Sequence, residues 1–112
     1  MNGESGADKV VAVLPGAYLS SVNFAEIISR LCDWGKSVSE GISDVEGLGV
    51  EVVPLDYDLA AAVGELRPLT RSLGLSLGDR ACLALGRKLG LPILTADRAW
   101  AGLSGFDITL IR

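Results

Sequence analysis

Three carboxylates stand where this chain passes from a strand pattern into a helix pattern, and their type and placing could support chemistry. Glu26 lies in Tyr18-Leu19-Ser20-Ser21-Val22-Asn23-Phe24-Ala25-Glu26, a short strand running into a helix. Asp79 lies in Ser76-Leu77-Gly78-Asp79-Arg80-Ala81-Cys82-Leu83-Ala84-Leu85, a helix start with an acid in its opening turn. Asp97 lies in Pro92-Ile93-Leu94-Thr95-Ala96-Asp97-Arg98-Ala99-Trp100, a buried strand that delivers its acid into a loop. Acids converging on one sheet edge repel each other and raise one another's pKa unless a cation intervenes. Mg2+ or Mn2+ suits such oxygen donors, taking one or two carboxylates directly and keeping several waters. An ion held that way orients a phosphodiester and acidifies a water. The chain has no His, which excludes imidazole ligands and His-based triads, and the proposed site needs none.

Each acid also has a structural reading. Asn23-x-x-Glu26 and Ser76-x-x-Asp79 both have capping-box spacing, and Asp97 is placed to cap a helix that starts at Arg98. The two roles are compatible, since a capping carboxylate keeps a second oxygen for a ligand. Thr95 is read as a strand-packing residue or a hydrogen-bonding member of the site, and Trp100 as a lid over the core in preference to a base-stacking surface. Arg80 and Arg98 each come directly after a candidate ligand and are read as phosphate contacts or as solvated, salt-bridging groups.

The elements that must position these acids can be read from periodicity and punctuation. Residues 6–14 read as a short helix stopped by Pro15-Gly16, and residues 17–20 as a strand. Phe24, Ile27, Ile28 and Leu31 recur at helical spacing and predict a helix over 22–34, with Gly35 beyond it. A weaker helix is expected over 37–47 with Ile42 and Val45 inward, then an apolar strand over 50–55. Asp56 caps a long helix with Leu59, Ala62, Val63 and Leu66 on one face, in which Pro68 predicts a kink or break near Arg67. Leu77, Ala81, Leu85 and Leu89, four apart, predict a helix over 77–89 closed by Gly90. A strand over 91–95, a helical turn over 98–100 and a last strand over 108–111 complete the pattern. Strands alternating with helices predict an α/β fold with a parallel sheet flanked by helices, ligands binding beyond the carboxyl ends of its strands.

At 112 residues the chain suits a single domain over 1–112, and 49% hydrophobic residues exclude a disordered segment. The longest uncharged run, residues 10–25, is too short to span a bilayer and is broken by Pro15-Gly16, so no membrane span is expected. The first six residues lack the basic start and apolar stretch of a signal peptide, which points to a cytoplasmic protein. Cys32 and Cys82, fifty positions apart in helical patterns, read as small core residues and not as a disulfide or zinc pair. Residues 1–66 carry three basic groups against eleven acids, a net of −8, whereas residues 67–112 carry seven against three, a net of +4. Either mixed surface helices or a cationic rim beside an acidic pocket, fitted to a phosphate backbone, accounts for that asymmetry. No Gly-rich phosphate loop and no aspartyl-phosphate motif is present.

The three acid-bearing phrases, taken in order, resemble the PIN domain and more narrowly the VapC-type toxins of bacterial toxin–antitoxin pairs. The similarity runs from about Asn2 to Arg112, with Gly78-Asp79-Arg80 and Thr95-Ala96-Asp97 its most specific parts. The resemblance implies a Mg2+- or Mn2+-dependent endoribonuclease with a parallel sheet, dimeric, acting on RNA and held inactive by a VapB-type antitoxin. It maps the family's Glu onto Glu26 and two of its Asp positions onto Asp79 and Asp97, as metal ligands and catalytic residues. One family element has no counterpart: a central first strand ending in Asp and a small polar residue. Residues 1–7 resemble the part of the family that comes after that strand and its helix, and Glu4 and Asp8 stand in the wrong context to replace its Asp. The expected architecture is therefore PIN-like, N-terminally truncated, with the central first strand missing and two strand edges left open. A start at an internal Met, a degenerate relative that binds antitoxin or RNA without cutting, and a gap closed by rearranged strands or a second copy all stay open at this point.

Overall fold

The computed structural model describes residues 18–95 and 97–110, and the helix expected over 6–14 lies outside the described residues. Strand β1 (Tyr18–Ser20) leads directly into helix α1 (Ser21–Asp33), followed by α2 (Val38–Glu46) and β2 (Glu51–Val53). Helix α3 (Tyr57–Thr70) continues into a 3₁₀ turn, Arg71–Leu73, before α4 (Leu77–Leu89). Strand β3 (Ile93–Thr95), a 3₁₀ segment (Arg98–Gly102) and β4 (Ile108–Leu110) complete the order.

Local chemistry sets most of these boundaries. The Ser37 hydroxyl accepts from the Glu40 amide while the Glu40 carboxylate accepts from the Ser37 amide, so a reciprocal capping box starts α2. Asp56 starts α3 by accepting from the Leu59 amide at 2.8 Å. Gly90, at φ +67°, ends α4 in the left-handed region that a side chain would disfavour. The break expected near Arg67 does not occur, and α3 runs on to Thr70. Pro68 falls in its last turn, and the residue four before it, Gly64, is exposed, so the carbonyl that loses its partner faces water.

All the strand pairing is parallel, as expected. Tyr18, Leu19 and Ser20 pair with Glu51, Val52 and Val53, and Ile93, Leu94 and Thr95 pair with Ile108, Thr109 and Leu110. These are two separate two-stranded sheets among the described residues, not one continuous sheet. Helix α4 packs against both β1 and β3. A helix-rich α/β arrangement with parallel strands is therefore the observed architecture of the described residues.

Helix α4 is also the axis of the core. Its residues 81–86 are all buried, packed with Leu59, Val63 and Leu66 of α3, Leu75, Ile93 and Trp100. The expected stripe of Leu77, Ala81, Leu85 and Leu89 is only half right, because Leu77 and Leu89 are exposed. The helix is covered all round in its middle and open at both ends, so burial depends on position along the axis more than on angle around it. Trp100 is 1% exposed and so packs within the core, which leaves no ring face for stacking on a base.

Candidate metal site at the start of two helices

Ser20, the last residue of β1, caps α1, its hydroxyl accepting from the Asn23 amide at 3.1 Å. This displaces the capping box expected between Asn23 and Glu26. Asn23 is the third residue of the helix and is buried, and Glu26 lies beyond the first turn, where it caps nothing. The Glu26 carboxylate instead reaches across to the start of α4. A Cβ built on Gly78 would stand 2.6 Å from Glu26 Cδ and closer still to both carboxylate oxygens, so the carboxylate occupies the space that a side chain there would fill. Asn23 Nδ2 donates to the Gly78 carbonyl at 3.0 Å and to Glu26 Oε1 at 3.4 Å.

Asp79, the next residue, does form the expected box. The Ser76 hydroxyl accepts from the Asp79 amide at 3.1 Å, and Asp79 Oδ2 accepts from the Ser76 amide at 3.0 Å. Capping occupies Oδ2, which leaves Oδ1 for another partner. Burial pushes the Glu26 pKa above its ordinary value and the nearby Asp79 charge pushes it further, against the Asn23 hydrogen bond and the more distant Arg30 charge. No lysine or arginine forms an ion pair with either acid among the described residues. Two hard oxygen donors, one of them partly desolvated, thus share a region in which no described lysine or arginine is paired with them. That donor set fits Mg2+ or Mn2+. Burial, and after it the same Asp79 charge, holds the Cys82 thiol in its neutral form, its pKa pushed up to about 12.

Asp97 emerges from the carboxyl end of β3. Its Oδ1 accepts from the Ala99 amide at 3.0 Å, capping the 3₁₀ segment, and its own amide donates to Thr95 Oγ1 at 3.0 Å. The described residues contain no group of three Asp, Glu or Cys side chains gathered to hold a metal, so Asp97 does not complete the Glu26–Asp79 pair there. Its strand pairs with β4, in the other of the two described sheets.

The basic residues are dispersed. Arg80 is half-buried and donates through Nη1 to the Val63 carbonyl at 3.2 Å. Arg87 lies with its guanidinium carbon 5.0 Å from the centre of the Phe106 ring and its Nη2 3.9 Å from Glu65 Oε1. Arg87 and Lys88 line a groove of about 230 Å³ with Asp58, Leu59, Ala62 and Ala84. Eight residues of helix separate Asp79 from Arg87, a rise of roughly 12 Å. These two cations therefore do not rim the acids, and Arg98 is simply exposed.

Sequence reasoning gave Asn23 only a capping role and gave Gly78 none of its own. Both had a legible signal: a polar residue three before an acid and three after Ser20, and a glycine inside a helix's first turn.

A PIN domain family profile matches residues 1–105 of the chain. Among solved structures, the chain is similar to VapBC2 from Rickettsia felis bound to a promoter DNA fragment, with TM-score 0.65 and 15% identity over 83% of this chain and 73% of that one. It is equally similar to DNA-bound VapBC from Salmonella typhimurium, at TM-score 0.65 and 21% identity over 83% and 74%. VapBC-5 from Mycobacterium tuberculosis matches at TM-score 0.58 and 22% identity over 94% and 93%. At these identities the structures establish the shared fold. No curated protein sequence matches the chain significantly.

Proposed function

For this chain, which belongs to the PIN domain family, we propose the activity of a metal-dependent endoribonuclease, the toxin of a VapBC-type toxin–antitoxin pair. The observation that carries the reading is the Glu26 carboxylate. It is free of any capping duty and packed onto the bare backbone of Gly78 beside Asp79. A carboxylate with raised pKa near a second one is costly to the fold unless it serves a ligand. In this reading Glu26 and Asp79 would hold a Mg2+ or Mn2+ ion, with Asp97, from the end of β3, as a third carboxylate. A bound ion would supply charge that offsets what develops on the phosphodiester and would acidify a water. Water attacks phosphorus, the bond to the 3′ oxygen breaks, and a proton passes to that oxygen, leaving 5′-phosphate and 3′-hydroxyl ends. A ligating Glu26 must be ionised, so metal uptake is expected to weaken as pH falls through its raised pKa. A VapB-type antitoxin, a homodimer, one domain over residues 1–112 and a cytoplasmic setting complete the proposal. The described residues include no helix long and apolar enough to cross a membrane.

The test is cleavage of total RNA by the 112-residue chain in Mg2+ or Mn2+ and in excess chelator. Slow cutting is expected with the ion, none with chelator, and none with Asp79→Asn in either condition. Cutting that survives Asp79→Asn or chelation contradicts the assignment.

One observation favours a second reading, a PIN-like module that binds an antitoxin or RNA without cutting. Only two of the three candidate ligands are gathered among the described residues. Binding of a VapB-type peptide without calorimetric uptake of Mg2+ or Mn2+ would select it.

A further inference from the structure

We propose that Asn23 is a positioning residue: its side-chain amide, oriented by Ser20, holds the Glu26 carboxylate over Gly78 and so beside Asp79. This rests on the reading of Glu26 and Asp79 as metal ligands, and adds a group that touches neither metal nor substrate.

Ser20 and Asn23 are 1% and 3% exposed, so their polar atoms must find partners within the protein. The Ser20 hydroxyl accepts from the Asn23 backbone amide and donates its single hydrogen to Asn23 Oδ1, at 2.6 Å. The carbonyl end of the side chain is thereby identified, and its NH2 faces away. Reversing the amide would set its oxygen against two other acceptors, the Gly78 carbonyl and Glu26 Oε1. The two N–H groups divide instead between these acceptors, one on α4 and one on α1. Asn23 thus links the end of β1, the first turn of α1 and the first turn of α4, 55 positions away in sequence.

The chemistry of the donor matters as much as its position. An Arg or Lys there would pair with Glu26 and compete with a metal ion for its charge. An amide orients the carboxylate and leaves its charge intact. Gly78 forms the other half of the device, since any side chain at that position would occupy the space of the Glu26 carboxylate. Carboxylates that bind metals are characteristically held by such neutral hydrogen bonds, whose loss weakens metal affinity by about 10–100-fold.

Calorimetric titration of Mn2+ into four proteins tests this: the unsubstituted chain, Asn23→Ala, Glu26→Ala and the double variant, each checked for folding by circular dichroism. Asn23→Ala is expected to weaken Mn2+ binding by about 10–100-fold. In the Glu26→Ala background it is expected to have no further effect, because it acts only through that carboxylate. If Asn23→Ala does not fold, Asn23→Ser takes its place, since a single hydroxyl cannot serve both Gly78 and Glu26. Equal losses in both backgrounds would reduce Asn23 to a packing residue and overturn the proposal while leaving the metal site intact. No Mn2+ uptake by the unsubstituted chain, or full affinity in Glu26→Ala, would overturn the metal-site reading and this proposal with it.

Discussion

Glu26, Asp79 and Asp97 began with the same ambiguity between cap and ligand, and the structure separates them. Asp79 and Asp97 both cap, through Oδ2 and Oδ1 respectively. Glu26 does not, and its carboxylate is held in a partly desolvated place beside another negative charge. The Glu26 pKa is raised, chiefly by burial. That direction fixes the sign for stability. A carboxyl whose folded pKa exceeds its unfolded one binds more protons in the folded state, so unfolding free energy falls as pH rises between the two values. Metal-free Glu26→Gln is therefore expected to melt at a higher temperature than the unsubstituted chain at neutral pH. The difference should shrink towards zero as pH is lowered through the carboxylate range, where Glu26 becomes neutral in both states. Thermal unfolding across roughly pH 4 to 7 in chelator checks this, and a gap that widens on acidification would contradict it. The role of Asn23 was hidden in the sequence because its side chain bonds to a residue 55 positions away.

Helix α4 shows how one element serves two ends. Its first turn presents Gly78 and Asp79 to the site, its middle is the most buried segment of the described residues, and its last turn carries Arg87 and Lys88. Replacing a helical glycine with alanine ordinarily stabilises by about 1 kcal/mol. Gly78→Ala is expected to stabilise less than that, because the Glu26 carboxylate must move to admit the methyl group. Denaturant unfolding of Gly78→Ala against Gly64→Ala, a helical glycine with open space around its Cβ, tests the contrast within one protein. Ser76→Ala removes the hydroxyl that caps α4 and is expected to cost about 1 kcal/mol by the same measurement. Both ends of α4 were legible from Ser76-x-x-Asp79 and Gly90. The continuation of α3 through Pro68 was not, since it depends on where the freed carbonyl of Gly64 points.

In the whole molecule, the two strand pairs are not hydrogen-bonded to each other among the described residues and meet through α4. Among the described residues, the coupling between the halves therefore runs through side-chain packing around that helix. Leu83, fully buried at the centre of the cluster, is the residue whose loss both halves should feel. Leu83→Ala is expected to cost about 2–5 kcal/mol, by lost burial and the cavity it leaves. Hydrogen exchange should show β1 and β3 amides losing protection together, and loss confined to one pair would show that α4 does not couple them. Two of the basic groups behind the net of +4 over residues 67–112, Arg80 and Arg87, do not stand beside Asp79 as a rim. Arg80 is turned inward to a carbonyl, and Arg87 sits about 12 Å along the helix from Asp79.

Local rules decided where the helices and strands lie, since caps, glycine stops and hydrophobic spacing act over three or four residues. They also marked the three acids as candidates, because strand-to-helix junctions are visible in the residue pattern. Which carboxylates share a region was settled only by tertiary packing. Parallel pairing and the crossing of α1 over α4 bring Glu26 onto Gly78 beside Asp79, while the separate β3–β4 sheet carries Asp97. Distances between elements depend on how whole layers stack, and no window of neighbouring residues contains that information.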